Sequence, residues 1–167
     1  MSASDASDRI DLRPFTAADR DWLVEAHGRL YAEAEGFDES FGALVAEILD
    51  AFLAGHDPAR ERGWIAWRGG VRLGSIFCVD AGGGLAKLRL FLLVPEARGS
   101  GLGRRLLQTC TDFARETGYV GMTLWTHESH RAACALYASE GWRLDTSVPV
   151  VSFGQPLVEQ QWSLHFS

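Results

Sequence analysis

No stretch of the 167-residue sequence approaches the roughly 18–20 consecutive apolar residues of a membrane-spanning helix, so no transmembrane segment is expected. Cysteine is scarce. Cys78, Cys110 and Cys134 are odd in number and form no Cys-x-x-Cys pair, which excludes a disulfide framework and a thiolate metal knuckle. Each lies in an apolar stretch and reads as a small packing residue. There is no basic surplus either: 16 Lys and Arg face 22 Asp and Glu, a net charge of −6 that argues against a nucleic-acid partner. The segment 1–8 is polar and acidic, unlike a signal peptide, and is expected to be a flexible tail ahead of a single domain at 9–167. A soluble, cytoplasmic setting is the expectation.

What is present fits a globular chain, with 47% hydrophobic and 23% charged residues. A domain of this length buries roughly 70% of the surface its unfolded chain exposes, enough to fold without a metal. Ile10 to Phe15 alternates like a short strand, and Thr16 reads as the N-cap of a helix carrying Trp22, Leu23, Ala26 and Leu30 at helical spacing. A second helix is predicted from Glu39 to Leu53. Strands at 64–67, 71–79 and 86–94 follow, separated by turns at Gly69-Gly70 and Gly82–Gly84. Beyond them the pattern predicts a helix over 100–117, a strand over 120–126, a helix over 129–139 and strands from 141 to 166. The order βααβββαβαββ implies an α/β fold with a central mixed, mostly antiparallel sheet and helices on both faces.

The stretch richest in chemistry runs from Leu90 to Arg105. A strand enters a loop with glycines at 99, 101 and 103, and the loop opens a helix. Helix N-termini present unpaired N–H groups and the positive end of a dipole, and glycines let a phosphate approach them. Lys87, Arg89, Arg98, Arg104 and Arg105 stand there against one acid, Glu96. Arg104 follows Gly103 where a nucleotide-hydrolysing loop needs Lys-Ser/Thr, and Leu106 stands where a dinucleotide fingerprint needs its third glycine. The loop therefore points to a different phosphate ligand.

Arg98-x-x-Gly101-x-Gly103 after Val94-Pro95 resembles the pyrophosphate motif of the GNAT superfamily of N-acetyltransferases. His130-x-x-Ala133-x-x-Leu136-Tyr137-x-x-x-Gly141-Trp142 is similar to that superfamily's second signature, with His130 replacing Asn and Trp142 replacing Phe. Arg29-Leu-Tyr31, Phe37-Asp-Glu39 and Ser152-Phe-Gly154 further resemble the acetyltransferase half of bacterial proteins that also carry a MarR-type DNA-binding half. The resemblance spans about residues 9 to 166 and implies acetyl transfer from acetyl-CoA to a small amine, with no metal, in a GNAT-like fold. It implies that Phe91, Leu92 and Leu93 flank the pantetheine arm, with an oxyanion donor near Leu92 or Leu93. Arg98, Gly99, Ser100, Gly101, Leu102, Gly103 and Arg104 would hold the pyrophosphate, and His130 would touch the cofactor or face solvent.

The same resemblance makes Tyr137 the acid that protonates the departing thiolate. For the base the residues leave several options open. His127 follows a strand at the mouth of the site, with an ordinary pKa near 6.5 that suits the task. His27, Glu33, Asp38 and Glu39 lie on the first two helices, and a water chain is the further option. Trp22, Tyr31, Phe37 and Phe41 are candidates for an acceptor pocket or for core packing. A non-catalytic acyl-CoA sensor is the rival reading, and a homodimer through the strands of 150–166 is an open expectation.

Overall fold

Apolar alternation and helical periodicity resolve, among the described residues 9–167 of the computed structural model, into seven strands and four helices in the expected order. The tail at 1–8 lies outside the described residues. The elements are β1 (Ile10–Pro14), α1 (Arg20–Glu35), α2 (Glu39–Gly55), β2 (Arg62–Arg68), β3 (Val71–Gly82) and β4 (Leu85–Leu93). They continue with α3 (Leu102–Glu116), β5 (Gly121–His127), α4 (Arg131–Ser139), β6 (Arg143–Ser152) and β7 (Gln155–His165). Thr16 caps a short 3₁₀ turn rather than α1 itself: its N–H donates to Asp19 Oδ2 at 2.9 Å, and α1 begins one residue later.

All seven strands form one sheet, ordered β1-β2-β3-β4-β5-β7-β6 and antiparallel except for the β4–β5 pair. Successive residues of β3 point to opposite faces, and the two faces build two cores. Ile76 and Cys78 join the apolar stripe of α3, where Leu102, Leu106, Leu107, Cys110 and Ala114 are buried. Phe77 joins Leu23 of α1 and Val45, Leu49 and Phe52 of α2. Each fully buried side chain of this size contributes about 1.5–3 kcal/mol, so helices are held on both faces as expected. β1 and β6 are the two sheet edges, and β6 leaves Val148 and Val151 exposed.

Two irregularities shape the centre of the sheet. Ser75 pairs with Leu92 but Phe77 pairs with Arg89, so Leu90 and Phe91 together oppose Ile76 in a bulge. Leu90 takes a φ of 50°, left-handed backbone that a leucine rarely adopts, and the Ser75 hydroxyl donates to its carbonyl at 2.6 Å. β4 and β5 pair only over Leu85–Lys87 and Gly121–Thr123. Beyond those rungs β4 stays on β3 while β5 stays on β7, and the sheet opens into a wedge.

Candidate active site

The wedge leaves backbone groups of β4 without strand partners. Val94 N–H donates to Leu73 O at 2.9 Å, so the strand's alternation turns Leu92 toward β3 as well. Phe91 and Leu93, the residues between, direct their N–H groups into the wedge. Of the two donors expected from sequence, the register therefore favours Leu93 over Leu92. Tyr137, on α4, is buried at the same place, with its ring 6.2 Å from that of Phe91. Burial, reinforced by Tyr31, pushes its phenol well above the usual value near 10, so it is protonated at neutral pH.

At the end of β4 the chain passes through a 3₁₀ turn, Pro95–Ala97, into the loop before α3. Gly99 and Gly101 have φ of 77° and 81°, which side-chain-bearing residues avoid, and Gly101 caps α3 with no side-chain bond. A Cβ on Gly103 would stand 3.2 Å from Leu93 Cδ1, so this glycine lets α3 approach β4. Ser100 turns its hydroxyl to Ala97 O. The Leu102 N–H donates to Ser100 Oγ at 3.4 Å, and the next N–H groups of the first turn, those of Gly103 and Arg104, remain for an anion, which fits a pyrophosphate.

The basic side chains counted with this loop go to different places. Arg104 reaches Glu140 Oε1 at 2.9 Å and Ser139 Oγ at 3.1 Å, and Arg105 donates to Ile10 O at 2.6 Å. Arg98 is exposed and free of ion pairs among the described residues. Lys87 and Arg89 lie on β4 upstream of the bulge and line the acceptor-side cavity rather than the loop.

That cavity, about 290 Å³, runs from the wedge to the α1–α2 junction. Tyr31 and Phe41 line it, as does Phe153 from the β6–β7 turn, and Phe37 packs behind them. The Tyr31–Phe41, Phe37–Phe153 and Phe41–Phe153 ring centroids are 4.7, 4.9 and 5.0 Å apart. Phe153 has a φ of 54°, and its carbonyl accepts the Asp38 N–H at 3.0 Å, which stitches the hairpin tip to the helix junction. Trp22 takes no part in the cavity; it packs against the core with Arg72 over its ring.

Two imidazoles stand at the mouth with centroids 5.5 Å apart. His127 is half-buried and forms no hydrogen bond through either ring nitrogen among the described residues; its Nδ1 is shut off from solvent. Burial first, then the neighbouring His130, lowers its pKa, while Glu35 and Glu159 act in the opposite sense. His130 has both nitrogens engaged: Nδ1 with Thr126 Oγ1 at 3.0 Å and Nε2 with Glu35 Oε2 at 2.7 Å. Both nitrogens are thus turned to partners within the chain, on β5 and α1. Glu35 escaped the sequence reading, because 95 residues separate it from His130 and nothing in the last turn of α1 marks it.

The remaining base candidates divide by exposure. His27 is fully buried, its Nδ1 bonded to Leu23 O at 2.8 Å and its Nε2 unpartnered, and burial lowers its pKa to about 4. Asp38 is spent on capping α2, where it accepts the Ser40 N–H at 3.0 Å. Glu33 and Glu39 are exposed and line none of the cavity.

The sequence profile of the Acetyltransferase (GNAT) family matches residues 15–142. N-acetyltransferase 8 of Rattus norvegicus is 33% identical over 107 residues, covering 59% of this chain and 46% of the relative. An IAA acetyltransferase of Azospirillum brasilense is 33% identical over 78 residues, covering 46% and 51%. The chain thus aligns with about half the length of these relatives. Among solved structures, yncA of Salmonella typhimurium, which holds acetyl-CoA, superposes with a TM-score of 0.74 at 19% identity, covering 95% of both chains. Spermidine N-acetyltransferase of Vibrio cholerae, solved with CoA and spermine, gives 0.72 at 16% identity over 93% of this chain and 95% of that one. At such identities the likeness is one of fold.

Proposed function

Because the chain belongs to the acetyltransferase (GNAT) family, we propose that it transfers an acetyl group from acetyl-CoA to a primary amine of a small molecule or peptide, by direct attack in a ternary complex. The observation that carries this is the coincidence, at one wedge, of gap-facing N–H groups on β4, a buried tyrosine and a glycine-lined helix N-terminus. Acetyl-CoA supplies the activated thioester. The chain supplies the rest. The N–H groups of Gly103 and Arg104 hold the pyrophosphate, with Arg98, which has no ion pair among the described residues, beside them. The gap-facing N–H of Phe91 or Leu93 donates to the thioester oxygen as negative charge gathers there.

Tyr137 then delivers its proton to the sulfur. Its raised pKa suits this, because a thiolate in the same desolvated wedge is as poorly stabilised as a phenolate. His127 takes the proton from the attacking amine. Burial keeps its imidazole neutral at pH 7, and the Glu35 and Glu159 carboxylates favour the imidazolium once it forms. His130, fixed by Glu35 and Thr126, positions the loop between β5 and α4 rather than reacting. The further likeness to the acetyltransferase half of MarR-type proteins rests on the sequence segments alone.

The test is a thiol-release assay over a panel of amines, paired with calorimetric titration of CoA. Tyr137→Phe keeps the ring packing, so CoA affinity should hold while kcat falls on the order of 100-fold or more. Unchanged kcat would refute the assigned acid. CoA binding with no turnover on any amine would replace the enzyme by an acyl-CoA sensor.

A further inference from the structure

Resting on that acetyltransferase reading, we propose that the acceptor is an amine that also carries a carboxylate, held by Lys87 and Arg89 on the floor of the acceptor cavity.

Lys87 is the only lysine of the chain, and its place is unusual. Many other basic side chains of the described residues are anchored, such as Arg20 on Asp50, Arg72 on Asp19, Arg104 on Glu140, and Arg60 and Arg62 over aromatic rings; Arg98 and Arg131 lie exposed to water, and Arg68, part-buried without a side-chain partner, lines none of the cavity. Lys87 and Arg89 have neither an ion pair nor a side-chain hydrogen bond among the described residues, yet both are half-buried and line the cavity that also holds Tyr137 and His127. Desolvation lowers both pKa values, and Arg89 lowers that of Lys87 further. Two like charges withdrawn from water without a counter-ion are unfavourable unless a ligand provides one.

Their direction follows from the strand. Lys87 pairs with Val79 and Arg89 with Phe77, and they alternate with Ala86 and Leu88, which are buried in the α3 core. Both cations therefore face the α1–α2 side, toward Leu44 and Ile48 of α2, and not the pyrophosphate loop. On the neighbouring strand, Lys87 is level with Thr123. Beyond that rung the strands diverge, and Arg89 on β4 and Trp125 and His127 on β5 line the same cavity, with His127 roughly 7 Å along its strand from Trp125 at 3.3 Å per residue.

The cavity is thus charged in two places. Glu159, the register partner of His127, marks the end where the amine reacts, and the two cations mark the other. The apolar walls between them include Tyr31, Phe41, Phe153 and the half-exposed ring of Trp125. This pattern matches an amino acid with an apolar body and disfavours a polyamine, whose second cation would meet Lys87 and Arg89.

Matched pairs that differ only in the carboxylate test this: phenylalanine against phenethylamine, tryptophan against tryptamine, and 6-aminohexanoate against hexylamine, each followed by thiol release. In at least one pair the carboxylate member should show kcat/KM higher by about 10- to 100-fold, the weight of one or two charge-assisted hydrogen bonds. Lys87→Met should erase that preference through KM, Lys87→Arg should keep it, and CoA titration of each variant reports that it is folded. Equal or better turnover of the decarboxylated member in every pair overturns the proposal and leaves the acetyltransferase reading standing. A loss in Lys87→Met that is the same for both members also overturns it. No thiol release from any amine, polyamines included, overturns both.

Discussion

His27 links folding to pH in a way that can be measured without knowing the acceptor. Its imidazole is 2% exposed, donates through Nδ1 to the Leu23 carbonyl and leaves Nε2 with no partner among the described residues, so no acceptor would meet the N–H that a second proton creates. Burial lowers its pKa from 6.5 to about 4. Between those values the unfolded chain binds a proton that the folded chain refuses, so stability falls as pH falls. The loss begins near pH 6.5 and saturates near pH 4. About 2.5 pH units at about 1.36 kcal/mol each amount to roughly 3 kcal/mol. That is a large share of the 5–15 kcal/mol typical of a domain. Urea unfolding followed by tryptophan fluorescence at pH 7, 6, 5 and 4 gives the curve, and His27→Leu gives the control, because it removes this proton and leaves every carboxylate in place. The native chain should lose about 3 kcal/mol more than the variant over that range, with an unchanged m-value. Parallel curves would falsify the assignment of His27 as a neutral buried group.

Two further predictions concern the imidazoles at the cavity mouth. His127 must be neutral to accept a proton, and its lowered pKa puts the acid limb of kcat/KM below pH 6.5; His127→Gln should cost on the order of 100-fold and abolish that limb, whereas an unaltered limb assigns it to another group. For the Glu35–His130 pair, a double-mutant cycle with Glu35→Gln and His130→Asn should return a coupling on the order of 1–3 kcal/mol in thermal or urea unfolding, and additivity within a few tenths would refute the contact.

The glycine turn before α3, proposed to hold the pyrophosphate, was legible in the sequence because it is made of backbone, and its positive φ requires glycine at positions such as 99 and 101. The order of elements was legible for the same local reason: each helix and strand carries its own apolar period. Side chains that act across the fold were not. Nothing local to Arg104 and Arg105 shows that their side chains reach Glu140 and the Ile10 carbonyl, 36 and 95 residues away. Glu35 became visible only when α1 and α4 were brought together, and Lys87 and Arg89 were assigned to the loop because distance along the chain does not reveal which face of a strand a residue occupies. The bulge at Leu90 had no signal at all, since leucine is a poor residue for a positive φ and the Ser75 hydroxyl that secures it lies on the preceding strand.

The seam between the β6–β7 turn and the α1–α2 junction bears on how such a protein is re-engineered. Phe153 packs its ring against both Phe37 and Phe41, which also touch each other, while its carbonyl holds the Asp38 amide, and Gln155 reaches back to Gly36 O at 3.1 Å. The two segments belong to opposite ends of the chain, but they form one wall. A chimera that imports either segment alone would bring rings cut for a different counterpart and a hairpin with no amide to bind. Exchange of acceptor preference between relatives therefore calls for transplanting both segments as a matched set.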